Sequence, residues 1–304
     1  MDAGLHLPDG LTSRAATVDD VDAITDLIAA CELDLDGVAE IDRGDVEVSF
    51  GRAGYDAGRD CVLVLDRQEL VGWAEVHRTR AEADVRPSHR GRSIGAALLR
   101  WSEARAHETG QPSVDQMVSD ANVAAAGLLR RNGYTPTETA WILQTRFDDG
   151  PPPVPDAPPG IAIRPYEPGR DDAAAYRVIE DAFNEWPGRT PTTFEEWRSE
   201  FPTHPAFAAE RSPLAFDGDE LVGTALYLDY PGSEEAWVTG LATRATHRHR
   251  GIARALLHTT FRSAYASGKR ACGLSTSSAS GALGLYEKVG MRVRRSYTRW
   301  SKAL

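Results

Sequence analysis

The sequence predicts a mixed α/β protein built from two tandem copies of one domain. Three observations carry that expectation. Segments of the first half recur in the second: Asp66-Arg67-Gln68-Glu69-Leu70-Val71-Gly72 aligns with Asp217-Gly218-Asp219-Glu220-Leu221-Val222-Gly223, 151 residues on. Asn132-Gly133-Tyr134 likewise pairs with Val289-Gly290-Met291, 157 residues on, and Arg14 and Arg164 open the two copies. Within each copy, strand-like apolar runs are interleaved with segments of helical spacing, the pattern of a mixed sheet with covering helices. A repeat this long is a domain duplication, since solenoid periods are far shorter, and about 150 residues is enough to bury a core.

Thr17-Val18-Asp19-Asp20 reads as a capping box for a helix to about Cys31, with Val21, Ile24, Leu27 and Ile28 on its apolar face. A looser charged stretch then runs to about Asp60. Cys61–Leu65 and Leu70–Val76 form a hairpin, Val85 leads into a basic turn, and a helix follows from Ile94 to about His107. Val114–Val118 is a strand, Val123–Arg131 a helix, and strands from Tyr134 and over Trp141–Phe147 close the copy. This first domain spans 1–149, and residues 150–160 of Asp148–Gly160, DDGPPPVPDAPPG, make a proline-rich connector that should run extended as a semi-rigid spacer. The second domain, 161–304, repeats the order. It has a strand Ile161–Arg164, helices Asp171–Phe183 and Thr193–Phe201, and strands Leu221–Leu228 and Ala236–Leu241. A helix Ile252–Tyr265, a strand Arg270–Ser275, a helix Gly281–Val289 and a strand Arg294–Ser301 complete it.

A formal charge of −11 argues against nucleic acid as a partner of the chain as a whole. The N-terminal stretch has no apolar leader and no run approaches a membrane span, so no membrane partner is expected. Cys31, Cys61 and Cys272 are odd in number and include no C-x-x-C, and Cys61 and Cys272 lie in strand-like runs where a buried inert thiol is expected. The cytoplasm is the expected compartment, as a monomer or homodimer. No metal site is expected, because His247 and His249 flank Arg248 in a cationic turn.

That turn is the centre of the chemistry. Trp237, Val238 and Leu241 form an apolar run, Arg248-His249-Arg250-Gly251-Ile252-Ala253 reads R-x-x-G-x-A, and Ile252, Ala255, Leu256, Leu257 and Phe261 then recur at helical spacing. A strand feeding a glycine-bearing turn at a helix N-terminus presents free N–H groups and a positive dipole end to an anion. The spacing is neither a Walker A loop nor a dinucleotide fingerprint. A second copy, Arg90-Gly91-Arg92-Ser93-Ile94-Gly95, lies 158 residues upstream.

R-x-x-G-x-A between a strand and an amphipathic helix resembles motif A of the GNAT superfamily of acyl-CoA-dependent N-acetyltransferases. Leu283-Gly284-Leu285-Tyr286-Glu287-Lys288-Val289-Gly290-Met291 is similar to its closing signature, L-Y-x-x-x-G-F. The resemblance covers nearly the whole chain and is nearest to tandem-GNAT actinobacterial enzymes of the mycothiol synthase type. It implies acetyl-CoA as donor, with the pyrophosphate on Arg248, His249, Arg250, Gly251, Ile252, Ala253 and Arg254 and the pantetheine arm along Leu241, Ala242 and Thr243. Tyr286 becomes the acid that protonates the departing thiolate. A second donor site would use Val85, Arg90, Gly91, Arg92, Ser93, Ile94 and Gly95. There, however, Leu129 stands where Tyr286 stands in the other copy, and Ser93 replaces a glycine, so the C-terminal domain is expected to do the chemistry. Asn122 fits the family's asparagine before the last helix; Ser277-Ser278-Ala279 replaces it in the second copy.

The reaction needs a base for the attacking amine, and a carboxylate near the start of the strand before the turn fits that task. Glu235 is the first candidate, then Glu234, then Asp229. Glu185, Trp186, Tyr227 and Trp237 are the candidate walls of a pocket for a small, partly apolar amine, with Trp186 placed in a loop beside Pro187-Gly188. The sequence leaves open a non-catalytic CoA-binding regulatory or scaffold protein, and transfer to a hydroxyl or a protein amine.

Overall fold

A computed structural model describes residues 5–153, 156–187 and 189–304; residues 1–4 of the N-terminal stretch, Val154 and Pro155 of the connector, and Gly188 lie outside the described residues. The first copy runs β1 (Leu11–Ala15), α1 (Val21–Asp36), α2 (Arg43–Phe50), α3 (Ala57–Asp60), β2 (Cys61–Asp66), β3 (Glu69–His77), β4 (Arg80–Val85), α4 (Ile94–Glu108), β5 (Ser113–Ser119), α5 (Val123–Arg131) and β6 (Thr135–Arg146). The second runs β7 (Ile161–Pro165), α6 (Asp172–Phe183), α7 (Phe194–Glu200), β8 (Pro213–Asp217), β9 (Glu220–Leu228), β10 (Glu235–Thr243), α8 (Ile252–Ala266), β11 (Ala271–Ser277), α9 (Leu283–Lys288) and β12 (Arg292–Ala303).

Several elements depart from the sequence reading, which also gave no strand for β1 or β4. The charged stretch before Asp60 contains α2 and α3, each started by an aspartate: Asp42 accepts from Gly44 N at 2.8 Å and Asp56 from Gly58 N at 3.0 Å. β8 was absent from the expected order and pairs antiparallel with β9. The two strands expected after Tyr134 are one, β6. The capping box at Thr17 forms with Asp20, but it opens a single 3-10 turn that leads into α1.

Contacts divide the chain into two compact units whose limits are not those of the two copies. One holds the chain up to Thr139 together with Tyr297–Leu304; the other is Ala140–Ser296. The reason is an exchange of last strands. In the first unit β1 to β4 are antiparallel neighbours, β4 meets β5 in parallel, and Tyr297–Ala303 of β12 pairs antiparallel with Ser113–Ser119. In the second unit β7, β8, β9 and β10 are antiparallel neighbours, β10 meets β11 in parallel, and Ala140–Arg146 of β6 pairs antiparallel with Ala271–Ser277. The division expected at 149 and 161 follows chain order and does not contain this exchange.

Each sheet buries both faces. In the first unit Ile24 and Leu27 pack with Leu63 and Trp73 on one face, and Ile94 and Leu98 with Val62, Val64 and Val71 on the other. In the second, Val178, Ile179 and Trp197 cover one face, and Leu256, Leu257 and Phe261 the other. The duplication persists at the level of single atoms. An ideal Cβ at Gly72 would lie 3.0 Å from Ile94 Cγ2, and one at Gly223 would lie 2.9 Å from Ile252 Cγ2 and 3.1 Å from Leu256 Cδ1. The helix after the basic turn thus sits on a bare stretch of strand in both units. Arg14 pairs with Asp20 at 2.5 Å and Arg164 with Asp171 at 2.7 Å, one guanidinium clamping the start of each copy.

The connector is not a free spacer. Arg262 Nη1 donates to Pro152 O at 3.1 Å, and Ile161 N donates to Pro158 O at 3.0 Å, so its described residues are tied to the second unit. Because α8 has no room to retreat at Gly223, the Gly223→Ala variant should lose about 1–3 kcal/mol of stability through overpacking. Equilibrium urea unfolding measures this; a midpoint equal to that of the parent protein would mean the helix yields freely.

Candidate functional site

β10 and β11 run side by side in parallel from Glu235 and Ala271 as far as Val238 and Leu274, and there the pairing stops. Both strands continue, to Thr243 and Ser277, so they splay. The cause lies on the other edge of β10, where its register with β9 shifts between Thr239 and Ala242. A bulge bends a strand and increases its twist. Gly240 makes this one possible: its φ is +52°, and a Cβ there would come within 3.0 Å of Ile179 Cδ1 and Leu226 Cδ1. Thr224, fully buried, donates its hydroxyl to Gly240 O at 2.7 Å and pins the bulge. A glycine inside a strand pattern, here Gly240 between Thr239 and Leu241, is the sequence signal for such a bulge.

The splay opens a cleft of about 1110 Å³ in the second unit. Leu241, Ala242, Thr243, Arg248, His249, Arg250, Gly251, Ile252, Ala253 and Arg254 all line it, as do Tyr286, Glu185 and Trp186. Beyond Leu274 the β10-facing edge of β11 is open, while Ser275 and Thr276 remain in register with Ile142 and Trp141 of β6 on the other edge. Thr243 Oγ1 is buried with no hydrogen-bond partner among the described residues. An unpaired buried hydroxyl, an open strand edge and a left-handed glycine at a helix N-terminus fit a ligand carrying amides and phosphate.

The turn is held from below by contacts that recur in the first unit. Arg244 Nε donates to Leu221 O and Arg86 Nε to Leu70 O. His247 and Arg250 both meet Asp217, as His89 and Arg92 both meet Asp66. Two left-handed residues shape each turn. They are His249 (φ +62°) and Gly251 (φ +85°) in the second unit, Gly91 (φ +77°) and Ser93 (φ +63°) in the first. The two turns share one backbone shape with the glycine at opposite positions.

Tyr286 points into the cleft from α9 and is 6% exposed. Burial pushes its hydroxyl up to about 12, with a hydrogen bond to the Thr276 side chain pulling the other way. Thr276 Oγ1 in turn lies 2.7 Å from Ser280 Oγ. These two hydroxyls, which also line the cleft, carry no sequence signal, because they come from a strand end and the loop after it.

The candidate bases separate. Glu235 accepts from Gln144 Nε2 at 3.0 Å and pairs with Arg294 at 3.2 Å. Alternation along β10 places it on one face with Trp237 and Thr239, and Thr239 lines the cleft about 13 Å further along the strand. Glu235 and Glu234 both lie outside the cleft lining, Glu235 half-buried under its partners and Glu234 exposed on the approach to β10. Asp229 is taken by Arg211 at 2.5 Å and Lys269 at 2.6 Å, a structural assignment.

The acceptor-pocket residues also divide. Trp186 lines the cleft and stacks on Phe183 at 4.3 Å. Glu185 lines it too, but both its oxygens are held by Arg248, at 2.6 and 2.9 Å. Tyr227 is a correction: it is fully buried in the core beneath α8 with Phe261 and does not line the cleft. β9 is buried on both faces, so its aromatic had no open side to face. Trp237 is likewise outside the lining and packs over Gly273, where a Cβ would lie 2.9 Å from its Cζ3 and would collide with Glu235 Oε1.

In the first unit, β4 and β5 pair only at Arg80–Asp115 and Ala81–Gln116, so Val85 again lies past the parting point. The surroundings of the two turns then differ. Leu129, 2% exposed, occupies the place of Tyr286. Cys31 Sγ donates to Val85 O at 3.3 Å, and desolvation pushes the neighbouring Asp84 carboxyl up to about 7. Ser93 adopts the left-handed conformation all the same, so its Cβ leaves the backbone path of the turn unchanged.

The same two regions are those that match known families. Residues 173–291 match the acetyltransferase (GNAT) family, and residues 57–136 match an acetyltransferase (GNAT) domain. A GCN5-related N-acetyltransferase from Sphaerobacter thermophilus is 32% identical, with a TM-score of 0.80 over 98% of this chain and 96% of that one. The chain belongs to the GNAT acetyltransferase family. The mycothiol acetyltransferase of Actinosynnema mirum is 32% identical over 206 residues, 66% of this chain and 68% of that protein. The chain spans about half (49%) of the Cellulomonas flavigena mycothiol acetyltransferase, at 30% identity over 172 residues. A tandem GNAT protein from the clavulanic acid biosynthesis pathway, 15% identical with a TM-score of 0.73 over 96% of this chain and 98% of that one, shares the fold. Among the described residues, no helix is long and apolar enough to cross a membrane and no His/Cys/Asp/Glu group could hold a metal ion.

His249 carries a side chain at a left-handed position where the first unit has glycine. His249→Gly should therefore relieve strain of about 1–2 kcal/mol, partly offset by the flexibility that glycine adds to the unfolded chain. A thermal melt should show a higher midpoint; a lower one would place a stabilising role in the imidazole.

Proposed function

We propose that the second unit transfers the acetyl group of acetyl-CoA to a primary amine of a small molecule, in one ternary complex. The observation that carries this reading is the cleft left by the parting of β10 and β11, with the Gly251 turn and the buried Tyr286 hydroxyl both lining it. Acetyl-CoA supplies an activated thioester when bound. The backbone N–H groups of His249 to Arg254 hold its pyrophosphate, where a side chain at Gly251 would block close approach. The open edges of β10 and β11 accept the pantetheine amides as an added strand, at Leu241 and Thr243. A backbone N–H near Leu241 polarises the thioester oxygen.

Glu235 takes the proton from the amine, directly or through water; the ion pair with Arg294 and the bond from Gln144 keep it a fixed acceptor. Tyr286 returns a proton to the departing sulfur. Its raised pKa means that it remains a neutral donor through the neutral and mildly alkaline range. The first unit lacks that acid, so it serves as a structural or donor-holding partner. Trp186 walls the acceptor side. The likeness to mycothiol acetyltransferases makes a mycothiol-type amine the first acceptor to try.

Tyr286→Phe should lower kcat by about a hundredfold or more, with the acetyl-CoA KM little changed. The same acid should leave the alkaline side of the kcat–pH profile of the parent enzyme free of a tyrosine limb below about pH 11, since its pKa is raised to about 12. An unaffected kcat would remove Tyr286 as the acid, and absence of turnover in the parent protein despite acetyl-CoA binding would favour a protein that only binds CoA. Calorimetric titration with acetyl-CoA should find one site, abolished by Gly251→Asp and untouched by Gly95→Asp; a site surviving Gly251→Asp would move the donor to the first unit.

A further inference from the structure

A second cleft, of about 380 Å³, adjoins the first at the start of α8. The two share Arg250, Gly251 and Arg254. What distinguishes the second is its other wall, which comes from the proline-rich connector: Asp156, Pro158 and Pro159 line it. This wall is fixed in place. Pro158 O accepts from Ile161 N at 3.0 Å, Pro152 O accepts from Arg262 Nη1 at 3.1 Å, and Pro158 Cγ lies 3.8 Å from where a Cβ on Gly251 would stand. Successive prolines hold such a wall at little entropic cost, because their φ is set in the unfolded chain as well. Arg254 is exposed on the first turn of α8, and no acidic side chain pairs with it among the described residues. Arg250 shares Asp217 with His247.

A donor with pyrophosphate on the Gly251 turn and pantetheine between the strands must send its remaining group, the 3′-phosphorylated nucleoside, away from the splay. The adjoining cleft offers that nucleoside a pair of cations, a rigid apolar face and one carboxylate. We propose that the connector cleft seats the nucleotide end of the donor: Arg254, with Arg250, pairs with the ribose 3′-phosphate, and Pro158 and Pro159 face the purine. Asp156 accepts from the exocyclic amine of the base, a donor that a phosphate group does not provide. The linker between the copies is in this way built into the cofactor site of the second. The inference rests on the donor reading above.

The test compares CoA with 3′-dephospho-CoA by calorimetry on the full chain. The parent protein should bind CoA about tenfold more tightly, the difference a single charge-assisted contact supplies. Arg254→Gln should weaken CoA binding more than 3′-dephospho-CoA binding and so bring the preference down toward unity; the side chain is exposed, so folding is not at issue. The double variant Pro158→Gly, Pro159→Gly should weaken both ligands by the same factor and keep the preference. Equal affinity of the parent protein for the two ligands, or a preference that survives Arg254→Gln, overturns this assignment and leaves the donor cleft standing. Failure of the parent protein to bind either ligand overturns the donor reading itself and this inference with it.

Discussion

The site depends on one interruption in a ladder of hydrogen bonds. β10 pairs with β9 on one edge and β11 on the other, and a regular strand would have kept both. The bulge at Thr239–Ala242 ends that. It is tolerated because Gly240 accepts a positive φ and leaves room for Ile179 and Leu226, and because Thr224 satisfies the carbonyl that the bulge displaces. Backbone groups left unpaired by the parting face a cleft where a ligand with amides of its own can pair with them. The Gly251 turn, the tyrosine and the open edges line one cleft only because the strands separate.

Duplication supplied two such frames, and the differences between them are small and local. Both turns keep the same pair of left-handed residues and the same arginine, histidine and aspartate scaffold. Three differences set the two sites apart. Leu129 cannot donate a proton where Tyr286 can. Asp84 places a carboxyl on the strand end where the second copy has Ala242. Cys31 occupies a carbonyl of the strand that a bound chain would otherwise approach.

Most of the site was legible because its elements are local. A turn between a strand and a helix carries its chemistry in consecutive residues, so Arg248 to Arg254 could be read together, and Tyr286 followed from a short motif on one helix. The acceptor side draws on distant segments, and there the reading was uneven. Tyr227 and Trp237 alternate along strands, but which face is open depends on what packs against the sheet; Tyr227 faces α8 and is closed off. Glu185 does lie in the cleft, yet its partner 63 residues away, Arg248, could not be inferred from spacing. Gln144 and Arg294, which hold Glu235, come from strands at opposite ends of the second unit's sequence.

By itself the sequence determined that there are two α/β copies, the order of most of their elements, and the basic turn that lines the cleft. Those properties depend on hydrophobic period, capping and glycine placement over a few consecutive residues. The tertiary structure alone decided where one unit stops and the other begins. β6 and β12 are each 12 residues of similar half-buried pattern, and a strand with that pattern can complete either sheet. Their register is set by long-range partners, Ala271–Ser277 for one and Ser113–Ser119 for the other. Only these long-range pairings distinguish the two choices, because the local patterns of the two strands are alike.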